Sequence, residues 1–263
     1  MLFRWAYGGG FVIQTMVNNP ALFNAYIAAS PLPLTEKIST IDRLLSKNTT
    51  FDRVLYFTSG TDEGVVKEGT DELDMLLSSK APETIHRIYR EFDGEEHRST
   101  PFTTLYHGIK AYYHYYPELH FSSLEEFIQM GGMPYVYSYY AQRAKQFGFS
   151  PELTQWTMFT LTRNAIRAND YSRFDAFVND FKGIDFIGLL RVNRACSIAA
   201  FYLKNKRYDK AISIFTFLAQ KHPNSERPLN GLGDVYFELK DEQKASQYYQ
   251  KAKDLTDTEN NPN

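Results

Sequence analysis

The chain has 263 residues, of which 43% are hydrophobic and 16% aromatic, so it can bury a sizeable core and is long enough for two domains. Its formal net charge of −2 offers no basic face to nucleic acid or to a membrane surface, and we expect neither partner. A single cysteine, Cys196, excludes an intramolecular disulfide, and its apolar surroundings are typical of a buried, inert thiol. The sequence contains no run of about 18 apolar residues and no convincing leader-cleavage site, which predicts a cytoplasmic protein as written.

Short β-rich runs alternate with amphipathic helical stretches over residues 1–117, a pattern that predicts an α/β unit with a parallel sheet. The predicted strands are residues 2–6, 25–30, 53–59 and 85–92. The predicted helices are residues 9–18, 35–47, 66–79 and 101–116. In such a sheet, functional residues are expected in the loops that follow the carboxyl ends of the strands.

The first of these loops has the outline of a nucleophile elbow, the sharp strand-to-helix turn that presents a catalytic serine in α/β-hydrolases. The pattern around this turn is G-x-S-x-G, and here the serine position is Ala6. Arg4 replaces the first glycine, whereas Gly8 keeps the second. The sequence therefore predicts a hydrolase-type turn that lacks the attacking atom, with a simple glycine-rich turn as the alternative.

Two later loops supply an acid and a base in the order expected for α/β-hydrolases. The loop after the third strand contains Asp62 and Glu63, either of which could orient a histidine, and the loop after the fourth strand contains His97. An imidazole titrates near neutrality and can take a proton from a serine, while a carboxylate fixes its tautomer. Solvated loop positions are the alternative interpretation of all three.

The first 116 residues resemble the esterase D-like esterases, a group that includes siderophore esterases. Besides these loops, the resemblance rests on four short runs: Trp5-Ala6-Tyr7-Gly8-Gly9, Asn19-Pro20-Ala21-Leu22-Phe23, Ala29-Ser30-Pro31 and Gly94-Glu95-Glu96-His97. The resemblance implies that Ala6 is the nucleophile position, His97 the general base, Asp62 or Glu63 its partner, and the Tyr7 N–H an oxyanion donor. It covers only the C-terminal half of the family's domain, so we expect either a truncated scaffold or a piece of a longer protein. The first strand would then have an unpaired edge, which favours self-association.

Residues 118–150 are expected to form a helical linker, and residues 151–263 a helical repeat domain. Tyr202 and Tyr236, Ala211 and Ala245, and Phe215 and Tyr249 are each separated by about 34 residues, the period of tetratricopeptide repeats. The predicted repeats are 192–225 and 226–259, preceded by a degenerate helical pair within 151–190.

Helical repeats of this kind bind peptides on their concave face, and some esterases of the family named above carry such repeats after the hydrolase domain. By position in the repeat, the lining residues would be Asn193, Lys204, Arg227 and Asn230, with ordinary solvated positions as the alternative.

His107 and His114 lie among tyrosines without a third ligand at suitable spacing, and no cofactor or metal is expected.

The sequence thus favours an esterase-type serine hydrolase scaffold, inactive because of Ala6 and acting on acyl esters in its active form, followed by tetratricopeptide-like repeats. The alternative is a protein-interaction module in which the repeats bind a peptide and the α/β unit is a platform.

Overall fold

A computed structural model describes residues 1–45, 52–81 and 85–260, with side chains up to residue 256. The chain divides into two compact units, Met1–Pro117 and Glu118–Asn263. The division falls directly after Pro117, where the β-type sequence pattern ends.

The first unit contains a four-stranded parallel sheet, as the sequence predicts. Its strands follow the order β1-β2-β3-β4. They are β1 Leu2–Trp5, β2 Ala25–Ala29, β3 Arg53–Gly60 and β4 Ile85–Phe92. The register pairs Trp5 with Ala29 and Ala29 with Thr58, so these strands end close together at one edge of the sheet. Among the described strands, β1 pairs only with β2 and therefore lies at one side of the sheet.

Four helices cover the two faces of this sheet. They are α1 Tyr7–Asn18, α2 Ile38–Leu45, α3 Val65–Lys80 and α4 Thr100–Tyr112, with short 3₁₀ turns at Pro20–Leu22 and Thr35–Lys37. The end predicted for the fourth helix, residue 116, is wrong, because α4 ends at Tyr112. The predicted helix 35–47 begins as a 3₁₀ turn, and its last two positions lie outside the described residues.

The core of the first unit lies between the sheet and α1, α2 and α3. Tyr26 and Ala28 of β2 pack there with Leu55 and Phe57 of β3. Ile27 points to the other face, where Gly108 lets α4 approach closely, since a Cβ at Gly108 would lie 2.8 Å from the Ile27 side chain. β2 is buried on both faces, which explains its run of apolar residues.

The second unit is helical throughout the residues described. Its helices are α5 Leu124–Gln129, α6 Gly132–Phe147, α7 Gln155–Arg167, α8 Tyr171–Asp180, α9 Ile184–Leu189, α10 Val192–Lys204, α11 Tyr208–Lys221, α12 Glu226–Glu238 and α13 Glu242–Asn260. Six of these helices form three packed pairs: α7 with α8, α10 with α11, and α12 with α13.

Small residues set the spacing between these pairs. Ala211 and Ala245 occupy equivalent positions in successive pairs, and both are buried. Gly231 of α12 lies against the buried ring of Phe215 in α11, where an added Cβ would be 2.2 Å from the ring. The aromatic and small residues of the 34-residue pattern therefore form the contacts between neighbouring helices.

Candidate active site

The turn between β1 and α1 holds Ala6 in a conformation that L-residues rarely adopt, with φ 55° and ψ −125°. Its N–H donates to the Ala29 carbonyl at 3.0 Å, and its carbonyl accepts from the Gly10 and Leu32 N–H groups at 3.1 Å each. A non-glycine residue in such a region costs about 1–3 kcal/mol and persists only where its surroundings enforce it. This strained strand-to-helix turn is the geometry of a nucleophile elbow.

The glycines after Ala6 allow the start of α1 to pack closely against the backbone that follows β2. A Cβ on Gly10 would lie 2.3 Å from the Leu32 carbonyl oxygen, and one on Gly9 would lie 2.9 Å from the Ala29 carbonyl oxygen. Both neighbours are backbone atoms that cannot turn aside. Larger residues at these two positions would push α1 away and change the conformation of Ala6.

His97 lies beside this turn, held there by Trp5, the residue before Ala6. The Trp5 Nε1–H donates to the His97 carbonyl at 2.7 Å, and the two rings have centroids 5.0 Å apart. The Thr100 hydroxyl, at the start of α4, lies 3.2 Å from the same carbonyl. The loop after β4 therefore places its imidazole beside the ring of Trp5, the residue that precedes the predicted nucleophile position.

Glu63 is the acid that the structure brings to this histidine. Its Oε1 lies 3.4 Å from His97 Nδ1, and the Glu63 side chain is only 2% exposed, against 35% for His97. This separation is longer than a well-formed hydrogen bond, and contacts of this kind commonly shorten when a catalytic site binds its substrate. Asp62, the other candidate, has an exposed side chain. Of the two candidates, Glu63 is therefore the one whose carboxylate lies near the imidazole.

Two hydroxyl side chains support Glu63. The Ser30 hydroxyl donates to Glu63 Oε1 at 2.8 Å and lies 2.7 Å from the Thr100 hydroxyl. Ser30 is fully buried and, like Ala6, has a positive φ, 40°. Strained residues thus stand at the ends of β1 and β2, on either side of the candidate site.

The remaining predicted group is the Tyr7 backbone N–H. Tyr7 is the first residue of α1, so its N–H has no acceptor within the helix and is free to face a ligand oxygen. The Tyr7 side chain itself is 74% exposed. At the position predicted for a nucleophile, Ala6 carries only a methyl group.

The structure adds Ser30 and Thr100 to the residues that the sequence predicts. The only sequence signal for Ser30 is its place directly after a buried strand and before a proline. Thr100 gives no signal of its own, because its role depends on contacts with residues distant in sequence.

The four predicted lining residues of the repeats all have exposed side chains. Asn193 and Lys204 stand near the two ends of α10, and Arg227 and Asn230 belong to the first turns of α12. Lys204 Nζ donates to the Asn169 side chain at 2.8 Å, and the Asn193 side chain accepts from the Arg194 N–H. Arg227 and Asn230 are three residues apart on α12, so their side chains are neighbours on one face of that helix.

In the ranges that the structure describes, no three His, Cys, Asp or Glu side chains come together as a candidate metal site. Those same ranges contain no helix long and apolar enough to span a membrane.

A tetratricopeptide-repeat family model matches residues 227–258, which are most of α12 and α13. No curated protein matches the chain. Among solved structures, an uncharacterised protein from Capnocytophaga ochracea DSM 7271 is similar at 15% identity and a TM-score of 0.47, over 94% of this chain and 60% of that one. An IroE-like serine hydrolase from Shewanella oneidensis is similar at 17% identity and a TM-score of 0.44, over 68% of this chain and 57% of that one. The chain thus spans about three fifths of the length of each, and likenesses this weak assign it no function.

Proposed function

We propose that the first unit is a serine-hydrolase-type scaffold in which Ala6 occupies the nucleophile position, and that the chain does not hydrolyse esters. The observation that carries this proposal is the strained backbone of Ala6 beside the His97–Glu63 pair. A strain of this kind is expected where a turn must present a side chain to a substrate. Here the turn presents a methyl group.

Each remaining group has a defined role in the chemistry that a serine at position 6 would perform. His97 would accept the serine proton, and Glu63 would hold the imidazole tautomer and stabilise the imidazolium. Ser30 would orient Glu63 through its hydrogen bond to Oε1. The Tyr7 N–H would donate to the oxyanion. Without the hydroxyl no acyl-enzyme can form, and loss of a triad serine costs on the order of 10⁶ in kcat.

The test is a gain of function in Ala6→Ser, measured as hydrolysis of p-nitrophenyl acetate. We expect turnover on the order of 10² above the native chain, since complete restoration also requires a full set of oxyanion donors, each worth about 10²–10³. Ala6→Ser combined with His97→Ala or Glu63→Gln should lose this gain, whereas Ala6→Ser with Asp62→Asn should keep it. Equal turnover by Ala6→Ser and the native chain, both folded, would refute the proposal.

A second candidate function is peptide binding by the helical repeats, favoured by the family match over residues 227–258. In this case the α/β unit serves as a platform, and Arg227 and Asn230 are the first residues expected to contact a partner. Affinity capture with the native chain and with the double variant Arg227→Ala, Asn230→Ala tests this function. A partner retained equally by both proteins would place the binding surface elsewhere.

Self-association through β1 is a further proposal, because this strand lies at one side of the sheet and has an unpaired edge. Light scattering over a range of concentrations tests it. Substituting Phe3, the central residue of that edge, by proline should reduce any dimer, since proline removes a backbone donor. A monomer at all concentrations would exclude this mode of association.

A further inference from the structure

Three arginine side chains gather where α7 and α10 pack together. Arg163 and Arg167 are one turn apart on α7, and Arg194 belongs to α10. The guanidinium carbon of Arg194 lies 4.7 Å from the centre of the Phe159 ring, and that of Arg163 lies 5.8 Å from the same centre. Two guanidinium groups therefore share one aromatic ring, and Arg194 also lies 5.3 Å from the Trp156 ring.

These arginines have no carboxylate partner in the part of the chain that the structure describes. Arg163 Nε is buried without a hydrogen-bond acceptor, and none of the three side chains forms an ion pair within 4.0 Å there. Other cations of the same unit are paired: Arg173 with Asp170 at 2.6 Å, and Lys210 with Asp175 at 2.6 Å. What distinguishes the cluster is that its arginines lie together and that one of them, Arg163, has a buried Nε without an acceptor in the described residues.

The positive charges of the three arginines repel one another. Burial lowers the pKa of Arg163, and the positive charges of Arg167 and Arg194 lower it further. An arginine nevertheless stays protonated at neutral pH, so the repulsion remains in the folded state. A negative group placed among the three would remove this repulsion and satisfy the buried Nε–H of Arg163.

We propose that Arg163, Arg167 and Arg194 form a binding site for an oxyanion, either the phosphate or the carboxylate of a ligand. Guanidinium groups bind both oxyanions with paired, charge-assisted hydrogen bonds. The rings of Phe159 and Trp156 hold the Arg194 side chain by cation–π contact, which reduces the entropy lost on binding. The site is independent of the His97–Glu63 pair.

Tryptophan fluorescence can report binding at this site. The chain has two tryptophans, so Trp5→Phe leaves Trp156, the ring that Arg194 contacts, as the single tryptophan, which can be excited selectively at 295 nm. We would titrate this protein at constant ionic strength with inorganic phosphate and, separately, with a hexaglutamate peptide. A saturable fluorescence change with phosphate alone would indicate a phosphate ligand, and one with the peptide alone a carboxylate ligand. A change with both would indicate a general oxyanion site, and no change with either would overturn the proposal.

Variants made in the Trp5→Phe background separate a site from general charge attraction. Arg163→Gln and Arg167→Gln should each weaken binding about ten-fold or more, as expected for loss of a charge-assisted hydrogen bond. The matched control is Arg207→Gln, which removes one guanidinium over a ring, Tyr171, elsewhere in the same unit. Arg167 is exposed, so its replacement leaves the core intact. Equal weakening in the control, or unchanged binding in both cluster variants, would overturn the proposal.

Discussion

Among single residues, Ala6 has a strained backbone conformation of the kind that presents a catalytic side chain in hydrolases. Three backbone hydrogen bonds, with Ala29, Gly10 and Leu32, hold φ at 55°. In the proposed function, the serine that would use this conformation is replaced by alanine. The energetic cost of the strain would then remain in the folded state without a catalytic return.

Replacing Ala6 by glycine should stabilise the first unit. Glycine adopts positive φ without steric cost, so the free energy of unfolding should rise by about 1 kcal/mol despite glycine's larger backbone entropy. Urea denaturation followed by circular dichroism measures the change. The matched control is Ala111→Gly in α4, a helical position, which should lower stability by about as much. Lower stability in both variants would show that Ala6 is not strained.

Cys196 gives a second test at this scale. Burial raises the pKa of its thiol to about 11, with Glu226 adding to the rise and Arg227 opposing it. Because a raised pKa leaves less thiolate at a given pH, reaction with Ellman's reagent at pH 8 should be about 100-fold slower in the folded protein than in urea. The folded-state rate should increase about ten-fold per pH unit through this range. Equal rates in folded and unfolded protein would contradict the burial.

The candidate site was predictable where its signal is local. Ala6 belongs to a turn whose glycines follow it directly, and the histidine loop begins at an Asp-Gly pair. The choice between Asp62 and Glu63 needed the structure, because neighbouring loop residues point in different directions. Ser30 could not be assigned a role, since its partners Glu63 and Thr100 lie 33 and 70 residues away.

At the scale of elements, the strands were predicted to within a residue at each end. Two of the four, β1 and β2, are largely apolar, half of the residues in β3 and in β4 are apolar, and turn-forming residues punctuate the strand ends. The end of α4 was missed because aromatic residues continue the apolar pattern through Tyr116. Pro117 disfavours helical geometry in the residue before it, and the Tyr113 and Tyr116 rings meet edge to face at 5.5 Å in the turn that replaces the last helical residues.

The packing between helix pairs depends on Gly231. A methyl group there would lie 2.2 Å from the Phe215 ring, which is buried and cannot move aside, so Gly231→Ala should destabilise the helical unit by about 1–3 kcal/mol. Thermal unfolding measures the change. Adding Phe215→Leu to Gly231→Ala should recover part of the loss, because the smaller side chain makes room for the methyl group. Strictly additive effects of the two changes would mean that these residues do not touch.

At the scale of the whole molecule, the chain consists of a parallel-sheet unit and a helical unit that meet at Pro117 in the sequence. This class of organisation was predictable because the hydrophobic period changes there from strand-type to helix-type. The arginine cluster was not predictable from the sequence, because Arg163 and Arg194 come together only through the packing of α7 on α10.

The helical unit should fold without the sheet. Residues 118–263 contain nine described helices, with buried aromatic contacts such as Phe174 with Phe201 at 4.7 Å. A protein of these residues alone should show a helical circular dichroism spectrum and one cooperative thermal transition. A spectrum of unfolded chain would show instead that this unit depends on residues 1–117.

Covalent labelling tests whether Ala6 occupies the nucleophile position of a hydrolase-type site. Ala6→Ser would be treated with a fluorophosphonate, which reacts with serines activated by a histidine, and both the intact mass and the masses of its proteolytic peptides recorded. We expect one adduct, located at residue 6, that is absent from the native chain and from Ala6→Ser, His97→Ala. A folded Ala6→Ser that stays unlabelled, or a native chain labelled to the same extent, would contradict the account.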